Sequence, residues 1–226
     1  MARACGRASR SPPDQSARLL AVQLHSYVVA RDYGFAPNPF FGVCTLATCK
    51  PGIRKVAAIG DWVVGTGSKT RNRHKNVVYA MRVTGAMRLD EYWDAPEFQR
   101  KKVNLRGSKK QAFGDNIYSR SPVNGHWCQA NSHHSFHDGS ANPLNVRADT
   151  GTNRVLLSGD FVYWGGSGPA LPPRFLDYGP SHEDLRAGRG FKKNFSPQLF
   201  NDFVEWIRSL NETGYGGEPA DWSRTA

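Results

Sequence analysis

Four of the seven histidines fall within HWCQANSHHSFHDGSANPLN, residues 126–145. His133, His134, His137 and Asp138 offer imidazoles and a carboxylate suited to general acid–base work or metal ligation. His133 and His137 would share one face of a helix, but Gly, Ser, Asn and Pro break the segment and the Glu of the HExxH signature is absent. Loop-ordering hydrogen bonds are therefore the favoured role. Ser135 with His133 forms a nucleophile–base pair only in composition, because no elbow signature accompanies it. A second candidate cluster is GSKKQAFGDNIYSR, residues 107–120. There Lys109 and Asp115 suit acid–base chemistry, while Asn116 and Tyr118 suit a base edge.

Cationic and aromatic residues supply the binding chemistry. SKTRNRHK, residues 68–75, is a basic turn between two strand-like runs, and its Lys69 and Arg71 suit phosphate. The segment RDYGFAPN offers Arg31, Asp32, Tyr33, Phe35 and Asn38 for stacking and polar contacts with a base. Gly60-Asp61-Trp62 gives a turn in which Asp61 bonds backbone amides and Trp62 is either core or a pocket wall. Cys44 and Cys49, as Cys-x4-Cys, are too weak a pattern to assign a metal, and reduced thiols are expected. The residues call for no metal and no cofactor.

The elements that position these residues follow from periodicity. Residues 26–31, 61–66 and 77–84 alternate as strands, as does the region around 154–166 with a turn at Ser158-Gly159. Residues 53–59 suit one or two helical turns, and 89–102 a helix interrupted at Pro96. Residues 103–150 read as a long irregular insertion whose aromatics argue for order. Over 197–210, Leu199, Phe200, Phe203, Val204, Ile207 and Leu210 make a helical core stripe capped by Ser196.

The 226 residues fit one domain, 24–226, after a disordered basic tail at 1–23 with four Arg and one Asp. The net charge of +11 with 12% aromatic residues points to a nucleic acid or nucleotide partner. No run approaches the ~20 apolar residues of a membrane span, and the N-terminus lacks a secretory pattern. The expected location is cytoplasmic, with no membrane partner.

Taken in order, VARDYGFAPNPFFGVCTLATCKPGIR, IGDWVVGTGSK, YAMRVT, DEYW, GDNIY, SHHSFHDGS and VLLSGDFVYWG resemble the nucleotide modification associated domain, second family of that name, over about residues 25–222. The resemblance implies a place among phage and bacterial systems that make or handle modified bases, with other components of a base-modification system as partners. The arrangement is also similar to PUA-like members such as the EVE and ASCH domains, which hold bases in aromatic-lined pockets. The fold expected is α+β, a PUA-like small β-barrel with flanking helices and a long insertion. The function expected is binding of a nucleotide or modified base, with an enzyme acting on modified nucleotides or bases by transfer or hydrolysis as the alternative.

Overall fold

A computed structural model describes residues 22–222. The expected tail, apart from residues 22 and 23, lies outside the described residues.

The alternating runs form the central sheet. Strands β1 (Leu24–Val29), β3 (Trp62–Gly67), β4 (Val77–Arg82), β9 (Asp160–Tyr163), β10 (Phe191–Lys192) and β11 (Gly214–Tyr215) order as β10-β1-β3-β4-β9-β11. β1 and β3 run parallel, which requires a crossover, and β3 and β4 are antiparallel neighbours. That crossover carries the loop after β1, the strand β2 (Cys44–Leu46) and helix α1 (Pro51–Val56). A three-stranded sheet, β2-β8-β5, uses β8 (Val155–Ser158) and β5 (Gly85–Met87).

Ser158-Gly159 is not a hairpin turn. β4 continues toward β5 and β8 toward β9, so one long antiparallel pair bends from the first sheet into the second. Arg82 pairs with Asp160 on one side of the bend and Gly85 with Leu157 on the other. Ser158 Oγ donates to the Arg82 carbonyl at 2.6 Å where the ladder is interrupted. This bend diverts the strands into a second sheet, and the six-stranded sheet keeps open edges at β10 and β11. The α+β class holds, while the named sheets form no closed barrel.

The period of two sorts the core. Tyr27, Val63, Tyr79, Met81 and Tyr163 pack toward Leu46, Leu156 and Ile53, between the sheets and against α1. Leu24, Trp62, Val64, Ala80 and Val162 face helix α5 (Pro197–Ser209) through Leu199, Phe203 and Ile207. Ser196 Oγ accepts the Leu199 amide at 3.3 Å, the cap the sequence signals. Asp61 accepts bonds from the amides of Gln23 and Ala58 and from His25 Nε2 at 2.9 Å, which outweigh burial and lower its pKa.

The insertion is more regular than its sequence suggests. Ahead of it, the helix expected over 89–102 divides into α2 (Leu89–Asp94) and a 3-10 turn that starts at Pro96, Pro96–Lys101. Then come α3 (Lys109–Ala112), a hairpin of β6 (Tyr118–Arg120) and β7 (Trp127–Gln129), and α4 (Pro143–Thr150). Among the described residues no helix is long and apolar enough to cross a membrane.

Phe203 is fully buried where α5 meets the sheet. Phe203→Ala is expected to destabilise the fold by about 3–5 kcal/mol in urea unfolding. A loss below about 1 kcal/mol would show that this contact does not anchor α5.

Candidate functional site

The site forms where the loop after β1, the start of α1, the turn at 131–139 and the end of α4 meet. Cys49 and Lys50 precede α1 with φ of 55° and 40°. Left-handed backbone at a residue with a side chain costs roughly 1–3 kcal/mol and persists only where neighbours enforce it. Here the Cys49 amide donates to Asp149 Oδ1 at 2.7 Å, and the Cys49 carbonyl accepts from Arg54 Nε at 2.9 Å.

Arg54 is fully buried. Besides Cys49 it donates to the carbonyls of Asp149 at 2.6 Å, Thr152 at 2.8 Å and Arg154 at 2.7 Å. One rigid guanidinium thus binds the backbones of Cys49 and Asp149 together. Burial pulls its pKa down and the Asp149 charge opposes that pull.

The chemistry follows from this clamp. Cys49 Sγ lies 3.3 Å from His134 Nε2, and His134 Nδ1 lies 2.8 Å from Asp149 Oδ2. Tyr118 donates its hydroxyl to the same carboxylate oxygen at 2.8 Å. Burial alone would lower the His134 pKa. The bonds to Asp149 and Cys49 and their charges outweigh it, and the pKa rises to about 10. At neutral pH the ring is therefore an imidazolium that donates to the carboxylate through Nδ1 and to sulfur through Nε2. Asn145 Nδ2 holds the His134 carbonyl at 2.8 Å, and Phe35 packs on the ring at 4.7 Å between centroids.

Thiol and imidazole line a cavity of about 480 Å³ whose walls include Tyr27, Arg31, Tyr33, Phe35, Lys50 and His133. Tyr33 stacks on Phe113 at 5.1 Å and meets His133 at 4.6 Å. Burial, and then the charges of His134 and Arg31, bring the His133 pKa down to about 4, so this ring is neutral at physiological pH. An aromatic wall with a few polar groups suits a flat ligand.

Of the residues singled out by sequence, the structure gathers Arg31, Tyr33, Phe35, His133 and His134 at this cavity, with Tyr118 behind it. His137 and Asp138 instead lie exposed on a turn, where Asp138 accepts from Ser140, so no helical pair of histidines forms. Ser135 Oγ donates to the Ala130 carbonyl within the same turn. Asn38, Asp115 and Asn116 are buried in the interior. A buried ammonium organises the first two: Lys101 Nζ donates to Asn38 Oδ1 at 2.7 Å and Thr45 Oγ1 at 3.1 Å, and Asp115 accepts from Thr45 and Tyr92, while Asn116 donates to the Tyr92 and Phe98 carbonyls. Burial brings Lys101 down to about 8 and raises Asp115. Trp62 packs under α5 beside Arg208, on the opposite face of the sheet from Tyr27. Asp32 accepts from Tyr163 and the Ala220 amide, Arg71 pairs with Asp221 at 3.2 Å, and Lys109 Nζ reaches the Trp222 carbonyl. Lys69 borders a neighbouring cavity.

Sequence reasoning weighed Cys49 only as half of a weak Cys-x4-Cys pair, and it missed Asp149 and Arg54. Cys49 followed by Lys-Pro at a helix start was the available signal. Its pairing with a histidine 85 residues on and a carboxylate 100 residues on is tertiary.

Cys49, His134 and Asp149 also present three donor atoms within 4.8 Å of one another, a possible metal-ligand set. Both Asp149 oxygens are already engaged, one by the Cys49 amide and one by His134 and Tyr118. The carboxylate thus orients the imidazole, the relation found around nucleophile–base pairs.

Fold and site define an α+β protein with a cysteine–histidine–aspartate cluster at an aromatic cavity. The chain matches the family described as nucleotide modification associated domain 2 over residues 21–226 and belongs to it. Comparison with curated proteins and comparison with solved structures each gave no significant match.

Two outcomes test this geometry. Because the His134 pKa is raised from its ordinary 6.5 to about 10, its pair is fully stabilising below about pH 6.5 and is lost as pH rises through about 10. The melting-temperature gap between wild type and His134→Ala should therefore be widest near pH 6 and shrink by pH 10; a gap that widens with pH would contradict the pairing. Arg54→Lys, which cannot reach four carbonyls, should destabilise by about 3–5 kcal/mol in urea unfolding.

Proposed function

We propose that this protein is a thiol-dependent enzyme of a nucleotide-modification system, acting at a carbonyl carried by a modified nucleotide or base. The carrying observation is the Cys49–His134–Asp149 alignment at the floor of the aromatic cavity. Family membership supports the nucleotide part of the reading. Binding of a base between aromatic walls is retained as the first step of this activity, and the likeness to PUA-like base binders enters only as an analogy of arrangement.

In the proposed cycle the Cys49 thiol proton resides on His134, and the sulfur attacks the carbonyl carbon of an amide or ester. The bond to the leaving nitrogen or oxygen breaks, and His134 returns the proton to that atom. Water then gives a proton to His134 and attacks the thioester, which releases a carboxylic acid and restores the thiol. An amine in place of water would make the same reaction a transfer. Asp149 keeps the imidazole in the orientation both steps need.

p-Nitrophenyl acetate serves as a generic acyl donor for the test. The wild type should release about one equivalent of p-nitrophenol in a burst, with the acetyl group found on Cys49 by peptide mass spectrometry. Cys49→Ala should abolish the burst, and His134→Ala should slow it at least about 100-fold. A burst that survives Cys49→Ala, or acetyl groups spread over lysines, would defeat the proposal.

A further inference from the structure

A second cavity of about 660 Å³ adjoins the thiol cavity, and the two share Val28, Ala30 and Lys50 in their walls. The first is aromatic, whereas the second is cationic. Lys69, Arg186 and Lys192 join Lys50 around it, and its single carboxylate is Asp184. That carboxylate is held by Arg186 at 2.8 Å, and Lys192 Nζ donates to the Asp184 carbonyl at 2.9 Å. Lys50 and Lys69 have no carboxylate partner among the described residues. Lys50 Nζ instead rests over the Tyr27 ring, 4.7 Å from its centroid, at the junction of the two cavities.

We propose that the cationic cavity is a subsite for the phosphate of the nucleotide whose base, or base substituent, occupies the aromatic cavity at Cys49. This inference rests on the thiol-enzyme reading and adds where the substrate's charge is held. Unpaired ammonium groups facing one concave space favour an anion, and a cavity lowers the screening that weakens such attraction on an open surface. The wall includes Gly188 and Gly190, where an added Cβ would meet nothing, so a ligand can approach the backbone there. Each cavity falls in the range of small-ligand sites, roughly 300–1,000 Å³, and their shared Lys50 wall suits a ligand with one flat and one anionic part. The anion is a phosphate monoester on a free nucleotide or a diester within a strand.

Full-length protein titrated with 2′-deoxycytidine, its 5′-monophosphate and a ten-nucleotide single-stranded oligodeoxycytidine separates these sources. The monophosphate or the oligonucleotide should bind at least about tenfold tighter than the nucleoside at low salt. Tight monophosphate binding indicates a free nucleotide, and tight binding of the oligonucleotide alone indicates a strand. Lys69→Glu, on an exposed turn, should cut that preference to below about threefold, as should Lys69→Glu combined with Lys192→Glu. Lys55→Glu, an exposed change outside the cavity, should preserve it. Equal binding of all three probes, no binding of any, or a preference that survives the double change would overturn the subsite. The wild type's p-nitrophenol burst judges the thiol separately, so a burst without phosphate preference removes the subsite alone.

Discussion

The site depends on one buried cation. Arg54 binds four backbone carbonyls, one just before α1 and three at and beyond the end of α4, and two of these belong to Cys49 and Asp149 themselves. A guanidinium loses several kcal/mol of hydration on burial, so it is stable here only because four of its N–H groups find carbonyls and Asp149 lies close. The same bonds enforce the left-handed backbone at Cys49 and Lys50. Strain at the thiol and burial of the arginine thus share one cause. The clamp sets the distance between sulfur carrier and carboxylate carrier, and His134 fills the gap between them.

A second buried network holds the opposite wall. Lys101 and Asp115 meet through Asn38, Thr45 and Tyr92, tying the loop after β1 to the insertion. That loop brings Tyr33 and Phe35 to the cavity, so its internal bonds position the aromatic wall without touching a ligand. Polar residues around the site therefore divide into those that build the loops and those that line the cavity.

This division explains what was legible in the sequence. Alternation in β1, β3 and β4 and the stripe of α5 are local signals, and they place those elements to within one or two residues. The aromatics of the first loop and His134 were recognisable by residue type. Asp115 and Asn116 attract attention for the same reason, yet their partners come from other segments: Thr45 and Tyr92 bond Asp115 beside Lys101, and the Tyr92 and Phe98 carbonyls accept from Asn116. α4 was hidden because it carries no apolar stripe: Leu144 is exposed and Asp149 is its buried residue. Its cap, in which Asn142 accepts the Leu144 amide at 3.1 Å, was the signal that could have found it. No closed barrel forms among the described residues: at Ser158, whose hydroxyl bonds the Arg82 carbonyl, a long antiparallel pair bends into a second sheet.

The central claim is that His134, held by Asp149, makes Cys49 a nucleophile. Among the described cysteines Cys128 is exposed, Cys49 is half-buried and Cys44 is buried, so access alone would make Cys128 the fastest of these three to react. The decisive measurement is the rate of iodoacetamide labelling at each cysteine between about pH 5 and 9, read by peptide mass spectrometry. The account predicts that Cys49 outpaces Cys128 near about pH 6, and that His134→Ala reverses this order. If Cys128 leads at every pH and His134→Ala leaves Cys49 unchanged, the cluster is structural and the account is contradicted.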